Sequence, residues 1–461
     1  MTNKLFVFII ILFFIAVLFT AYHLFIQKEL PKDINQNPPL GNQQIKCLDC
    51  NIILISVDTL RADHVGTYGY LKPTTPNIDK FANQAYVFEN AYASSPWTLP
   101  SHTSMLTGFY PQKFHAELPT DILPENALTI AEILSENGYK TVAFSTGAFI
   151  TRNQGFAQGF ATFNELQNWQ DAQEISQKSI NWLNQNQKSK FFLFIHSFHT
   201  HDPYSPQDQF IKKIDSDYQG YLNSINISQI VDINTSKTNL SEYEKRRIVS
   251  LYDAEIAELD NYFGQFFKTL EDLKLMENTI IIITSDHGEE FGEHGGFAIH
   301  SYSLYDELLR IPLIIKIGDQ LNHKRIQNLV SLVDIVPTIL NIINPKSPIL
   351  SDGQSLVGTF NNEFNNKAVY SETASSKQYM LQVIEEGENK IVKGTFQPKT
   401  RDNTQILPKA KMVRENNYKL ISNFNGSLEL YDLANDPNES NNLINSLPQI
   451  KENLIKKINS Y

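Results

Sequence analysis

NIILISVDTLRADHVGTYGY, residues 51–70, is the stretch whose reading decides the fold. It opens with a short, continuous apolar run, NIILISV, closed by Asp58. Continuity rather than alternation marks a strand covered on both faces, the habit of buried parallel sheets. KFFLFIHSF (190–198) and NTIIIITSD (278–286) repeat the pattern, and each also ends in polar residues. Between the runs lie ALTIAEILSENGYK (127–140) and YDAEIAELDNYFGQFFKTLEDL (252–273), with apolar residues at helical spacing and a Gly or polar break near the end. Strand and helix in alternation predict an α/β domain with a mostly parallel central sheet flanked by helices. Ligands of such sheets sit beyond the carboxyl ends of the strands, which is where Asp58, His196 and Asp286 fall.

Toward the N-terminus, LFVFIIILFFIAVLFTAYHLFI (5–26) reaches about 33 Å as a helix, enough to cross a hydrocarbon core. The run continues into AYHLFIQKEL with no small-residue cleavage site, so an uncleaved anchor over residues 1–27 is expected rather than a signal peptide. Lys4 on one side against Lys28 and Lys32 on the other leaves little positive-inside asymmetry; export of the C-terminal bulk, as a single-pass membrane protein with an extracytoplasmic domain, is the expectation. Residues 28–50, rich in Pro, Asn and Gln, read as a tether. A catalytic domain over 51–364 and a smaller C-terminal α+β subdomain over 365–461 follow, with 207–248 read as a polar excursion. The only two cysteines, Cys47 and Cys50, fit either a disulfide in an oxidising compartment or two free thiols.

The chain holds 461 residues, enough for a large core, with 39 basic against 50 acidic side chains and a net charge of -11. An acidic balance argues against a nucleic-acid partner, which needs a basic surface.

Asp58 and the pair Asp286–His287 each follow an apolar strand directly, so two strands deliver metal-ligand side chains to one end of the sheet. SSPWTLPSHTSMLTGFYP (94–111) places Thr98 at the start of a short helix. The partial positive charge there suits an alkoxide nucleophile and an incoming anion, although a helix N-cap is the simpler reading of Thr98 alone. EEFGEHGG (289–296) fits no twelve-residue calcium loop and reads as a solvated turn.

The ordered set NIILISVDTLRADHVGTYGY, TLPSHTSMLTGFYP, HTHDPY, YDAEIAELDNYFG, TSDHGEEFGEHG and LYDELLRIPLII resembles the sulfatase family of the alkaline-phosphatase superfamily. YKLISNFNGSLELYDLANDPNESNNL resembles that family's C-terminal ending, so the likeness spans about residues 51–443. It implies a metal-dependent hydrolase of an anionic ester, with Asp58, Asp286 and His287 as metal ligands and Thr98 at the nucleophile of the C/S-x-P-x-R signature. His102 takes the place of the signature's Arg. His201 and His300 match positions that contact the leaving or transferred oxyanion, and His196, His199 and His294 lie nearby in the pattern.

Three departures bear on the chemistry. Family sulfatases attack with a formylglycine made from Cys or Ser, and Thr98 cannot become that aldehyde; its secondary hydroxyl can attack directly once a metal lowers its pKa, as in the phosphoryl-transfer branches. Thr59 replaces the second acid of the usual DD pair, and AFSTGAFI (143–150) lacks the Lys and His of the GKWH string. The resemblance therefore implies a sulfate-ester hydrolase with a small-molecule, glycan or lipid-linked substrate. A phosphodiester or phosphonate hydrolase, a phosphoethanolamine- or phosphoglycerol-type transferase, or a binding module on the same fold stand as alternatives. Calcium is the expected ion in the first case, zinc or manganese in the phosphatase-like ones.

Overall fold

The computed structural model describes residues 45–461 except 148, 321–322, 346–349, 361–362, 378–380 and 382–407. The expected anchor, and the tether up to residue 44, lie outside the described residues. Among the described residues no helix is long and apolar enough to cross a membrane.

The three apolar runs are strands: β1 (Asn51–Val57), β5 (Phe191–Ser197) and β6 (Thr279–Ser285), every residue buried. β1 lies between the other two, parallel to both, with Leu54 opposite Phe194 on one side and Ile282 on the other. With β2 (Tyr86–Tyr92), β3 (Lys140–Ser145), β4 (Thr162–Glu165), β7 (Leu313–Ile317) and β8 (Lys324–Ser331) they form a sheet in the order β8-β2-β7-β6-β1-β5-β3-β4, and Arg310–Ile311 pairs with β2. Only β7 and the Arg310–Ile311 pairing run antiparallel, so the sheet is mostly parallel as expected.

Strand side chains alternate between faces, and each face meets helices. Ile52 and Leu54 pack with α1 (Thr98–Thr107), α2 (Ile130–Glu136) and α5 (Ile335–Ile343); Ile53, Ile55 and Val57 pack with α3 (Ala172–Asn186) and α4 (Glu242–Asp272). Burial on both sides is why the strands read as unbroken apolar runs.

α4 starts ten residues earlier than apolar spacing predicts. Its first turns, EYEKRR, show no apolar stripe but are held by a capping box in which Ser241 accepts from the Glu244 N–H and Glu244 accepts from the Ser241 N–H. The polar excursion thus contains two short helices, Asp208–Ile214 and Ile227–Asn234, and the beginning of α4.

C-terminal strands β9 (Val369–Thr373), β10 (Ala410–Glu415), β11 (Tyr418–Ser422) and β12 (Leu428–Asp432) form an antiparallel sheet in sequence order. One face packs on α6 (Pro448–Ser460) through Val413, Leu420, Leu430, Leu454 and Ile458; the other adds Met412, Ile421 and Tyr431 to the main core. Lys419, fully buried, is paired with Asp306 at 2.7 Å and Glu439 at 2.9 Å, which fastens this sheet to the segment before β7. Cys47 and Cys50 are joined as a disulfide, and the Cys47 N–H donates to the Ile342 carbonyl at the end of α5.

Candidate active site

Because β1 and β6 run in parallel register with Val57 beside Ser285, the next residues, Asp58 and Asp286, leave the sheet side by side. The chain then turns sharply at Thr59, whose φ of 56° is a left-handed backbone that a β-branched residue adopts only under constraint. The constraint is visible: the Thr59 N–H donates to Asp286 Oδ1 (3.3 Å), its hydroxyl to the Thr200 carbonyl (2.9 Å), and its carbonyl accepts from the Tyr252 hydroxyl (2.7 Å). Where the family pattern has a second acid, this chain sets a backbone amide against the other carboxylate.

α1 brings in the hydroxyl. Trp97 is the extended residue before the helix, and Thr98 is its first residue rather than its cap. Thr98 Oγ1 donates to Asp58 Oδ2 at 3.4 Å and lies 3.4 Å from His287 Nε2. His102, one turn on, is fully buried with both ring nitrogens engaged: Nδ1–H donates to the Thr98 carbonyl and Nε2 accepts from the Ser56 hydroxyl, each at 2.9 Å. Burial pushes this imidazole down to about 3, so it is neutral. The structure therefore makes the residue at the signature's Arg position a support for Thr98, with no ring nitrogen left for substrate.

Asp58, Asp286 and His287 are wholly buried, and one donor atom from each lies within 4.8 Å of the others. The His287 Nδ1–H donates to the Gly288 carbonyl (2.8 Å), which leaves the Nε2 lone pair facing Asp286 Oδ2 at 3.4 Å and Asp58 Oδ1 at 3.6 Å. Those two carboxylate oxygens have no hydrogen-bond partner. Burial and the charge on Asp58 push the Asp286 carboxyl well up, whereas at Asp58 the opposing pull of burial is outweighed by the His196 hydrogen bond and the neighbouring imidazoles, which hold it low. Burial keeps His287 neutral. Two buried carboxylates with unpartnered oxygens, and an imidazole whose other nitrogen is fixed by a carbonyl, are the donor set of a divalent cation. The residues fit.

His196 belongs to this centre: its Nε2 stands 3.2 Å from Asp58 Oδ2. Only glycine fits at 147 beside it, since a Cβ there would come within 2.3 Å of the imidazole. His287, His300 and His201 form a row of rings, with centroids 4.5 Å and 4.8 Å apart. Against the cost of burial, Asp202 at 2.9 Å pushes His201 up to about 10, so it is cationic at neutral pH, and it stacks on Phe198 at 3.9 Å. His300 donates to Glu289 Oε1 at 3.1 Å, and the Tyr204 hydroxyl donates to the other oxygen of Glu289.

The EEFGEHGG turn is accordingly not solvated as expected. Glu289 and Glu290 are fully buried; Glu290 accepts from the His294 and Gly296 amides and from the Tyr302 hydroxyl, and Glu293 alone of the three acids is exposed, paired with Arg61 at 2.7 Å. Each buried carboxylate has found specific donors, which composition cannot show. His294 is outside the centre, paired with Glu307 at 2.7 Å and stacked on Tyr305. His199 also points elsewhere, to Glu255 and Glu258 on α4. Sequence reading marked Thr59 only as the lost acid and missed Tyr252 and Ser56, all three of which act through backbone or hydroxyl contacts; Glu289 was detectable only as the neighbour of SDHG.

With this geometry in place, residues 50–344 match the family profile described as Sulfatase. The chain belongs to the sulfatase family. It is thus a hydrolase of ester bonds, and of sulfate esters at the level of the family. Relatives include arylsulfatase K of Canis lupus familiaris, 24% identical with 89% of this chain and 82% of that protein covered. An N-acetylglucosamine-6-O-sulfatase of Bacteroides thetaiotaomicron is 23% identical, with 87% and 84% covered. Among solved structures, the phosphonate monoester hydrolase of Agrobacterium radiobacter superposes with a TM-score of 0.71 at 18% identity, covering 89% of this chain and 95% of that one. A second, determined with its substrate D-glucosamine-2-N,6-O-disulfate, also gives 0.71 at 19% identity, covering 89% and 97%. These likenesses establish the fold of this sulfatase.

Proposed function

We propose that this sulfatase cleaves a sulfate ester with Thr98 as nucleophile at a divalent cation held by Asp58, Asp286 and His287. The observation that carries the reading is the approach of Thr98 Oγ1 to within 3.4 Å of both Asp58 and His287. A bound cation would lower the pKa of the hydroxyl and offset charge on the transferred group. Thr98 stands at a helix N-terminus that favours the developing anion, and its proton faces Asp58 Oδ2. Its oxygen forms a bond to sulfur as the bond from sulfur to the alcohol oxygen breaks, and the leaving oxygen takes a proton from cationic His201. Water attack on the sulfated threonine then returns the hydroxyl and releases sulfate. His300, fixed by Glu289, holds the oxyanion, and His102 fixes the helix that carries Thr98. A glycan-linked ester on the extracytoplasmic face of a membrane is the substrate setting that the relatives and the apolar N-terminus support together.

A second reading, hydrolysis of a phosphonate or phosphodiester, is favoured by two observations. Thr98 cannot form the aldehyde of the family. The Ser145–Gly147 stretch, where the clamp Lys and His would stand, instead lines a partly open pocket of about 140 Å³ together with Glu165, Gln167 and Trp169, and among the described residues no Lys, Arg or His lines it. Matched aryl sulfate, phosphate monoester, phosphodiester and phosphonate esters, assayed with added calcium, zinc or manganese, separate the readings. Intact mass of trapped enzyme tests the covalent step: an adduct on Thr98 of wild type is expected, and turnover by Thr98→Ala at the wild-type rate rejects the scheme.

A further inference from the structure

We infer that His199, Glu255 and Glu258 form a second divalent-cation site, separate from the catalytic centre, which pins the loop carrying His201 to helix α4. His199 stands two residues before His201, just after β5, whereas Glu255 and Glu258 lie one turn apart on the buried face of α4. One donor atom from each comes within 4.8 Å of the others.

The far side of each ligand is already fixed. The His199 Nδ1–H donates to the Gln170 carbonyl at 2.6 Å, which turns the Nε2 lone pair toward the acids. Glu255 Oε1 accepts from the Ser205 N–H at 2.7 Å, and Glu258 Oε1 accepts from the Gln207 side-chain amide at 2.6 Å. The near sides converge: His199 Nε2 is 2.9 Å from Glu255 Oε2 and 3.9 Å from Glu258 Oε2, an oxygen that also accepts from the Gln207 N–H at 3.0 Å. His199 Nε2 and Glu255 Oε2 face each other as an ion-pair contact at 2.9 Å that is not aligned as a hydrogen bond, and neither of these buried atoms has a hydrogen-bond partner. Donors about 2.0–2.2 Å from a zinc ion lie about 3–3.5 Å from each other, and the two separations bracket that edge.

Charge demands an occupant. Two acids stand beside a side chain that is 5% exposed, and among the described residues no Lys or Arg pairs with either. A proton is one candidate and a divalent ion the other. An imidazole with its second nitrogen on a carbonyl, facing two carboxylates, is the arrangement of an oxygen-rich zinc or manganese site.

The test uses the full-length protein with the catalytic centre disabled by Asp286→Asn. Metal-stripped Asp286→Asn protein is titrated with zinc or manganese, metal per chain is counted by mass spectrometry, and the thermal midpoint is followed. One equivalent bound, with a raised midpoint, is expected; His199→Gln or Glu255→Gln added to that background should abolish both. Zero equivalents in Asp286→Asn, or an equivalent that persists with an unchanged midpoint shift in both added variants, overturns the site and leaves a protonated His199 as the occupant. Loss of turnover plays no part in this readout, so it stands apart from the proposed chemistry at Thr98.

Discussion

Asp286→Asn should reverse the order of stability between metal-bound and metal-free protein. Asp58 and Asp286 are both fully buried, each with an oxygen that no donor reaches. Without a cation, one uncompensated buried charge costs about 3–5 kcal/mol. Unfolding entropy near 2.1 cal/mol/K per residue gives roughly 0.9 kcal/mol/K for the compact unit Asn42–Tyr461, so that penalty corresponds to a Tm change of about 3–6 °C. The asparagine keeps an Oδ1 to accept from the Thr59 and His287 amides, and its amide group stands where Asp286 Oδ2 faces the His287 lone pair. In chelator the variant should therefore melt several degrees above wild type.

With cation at about 10,000 times its Kd, wild type gains about 5.5 kcal/mol, more than the penalty of about 3–5 kcal/mol that the asparagine removes, and should melt above the variant. The pH profile supplies an independent sign. Asp286 has a folded pKa raised above the ordinary 3.8, so its contribution to stability in chelator is fully present below 3.8 and is lost as pH rises through the raised value. That falling limb should vanish in Asp286→Asn. Differential scanning calorimetry at a fixed scan rate, with EDTA or with metal, reads both effects. The same stability order in the two buffers, or an identical pH slope for both proteins, refutes the assignment of this pair to a cation.

Thr98→Ser should retain turnover within about 10–100-fold of wild type, and Thr98→Ala should lose at least about a thousandfold in kcat while its melting point stays near wild type. Because Asp202 holds His201 cationic up to about 10, Asp202→Asn should move the basic limb of the kcat profile down by about 2 units or more; an unmoved limb assigns that ionisation elsewhere. His294 is raised to about 8 by Glu307 against the pull of burial, so its contribution, on the order of 1 kcal/mol, is fully present below pH 6.5 and lost as pH rises through 8; urea unfolding of His294→Gln should lack this change. Lys419→Met leaves Asp306 and Glu439 buried without their cation and should lower stability by about 3–5 kcal/mol in denaturant titration, with an unchanged midpoint telling against the ion pair as a fastening.

How much of this was legible in the chain depends on where each interaction closes. NIILISV, FFLFIHS and TIIIITS could be read as buried parallel strands because burial on both faces is written locally, in every residue of the run. Asp58, Asp286 and His287 could be read as ligands because each follows its strand directly, although the pairing of β1 with β6 that brings them together is a contact across more than 200 residues. Glu289, Glu290 and the first turns of α4 misled because their polarity is satisfied by amides and side chains within the following twelve residues, by the distant Tyr204 hydroxyl, or by a cap, not by water.

The departures from the family pattern gain their meaning only together. Replacing the second acid of the pair by Thr59 removes a negative charge, and replacing the signature's Arg by His102, held neutral by burial, removes a positive one from the same region. Either change alone would leave a buried charge without its counterpart, a penalty of several kcal/mol. Both at once remove one charge of each sign, with Asp286 contacted by the Thr59 amide and Thr98 held by His102. Restoring only one, by Thr59→Asp or by His102→Arg, should therefore destabilise the fold, and the double variant should recover part of that loss.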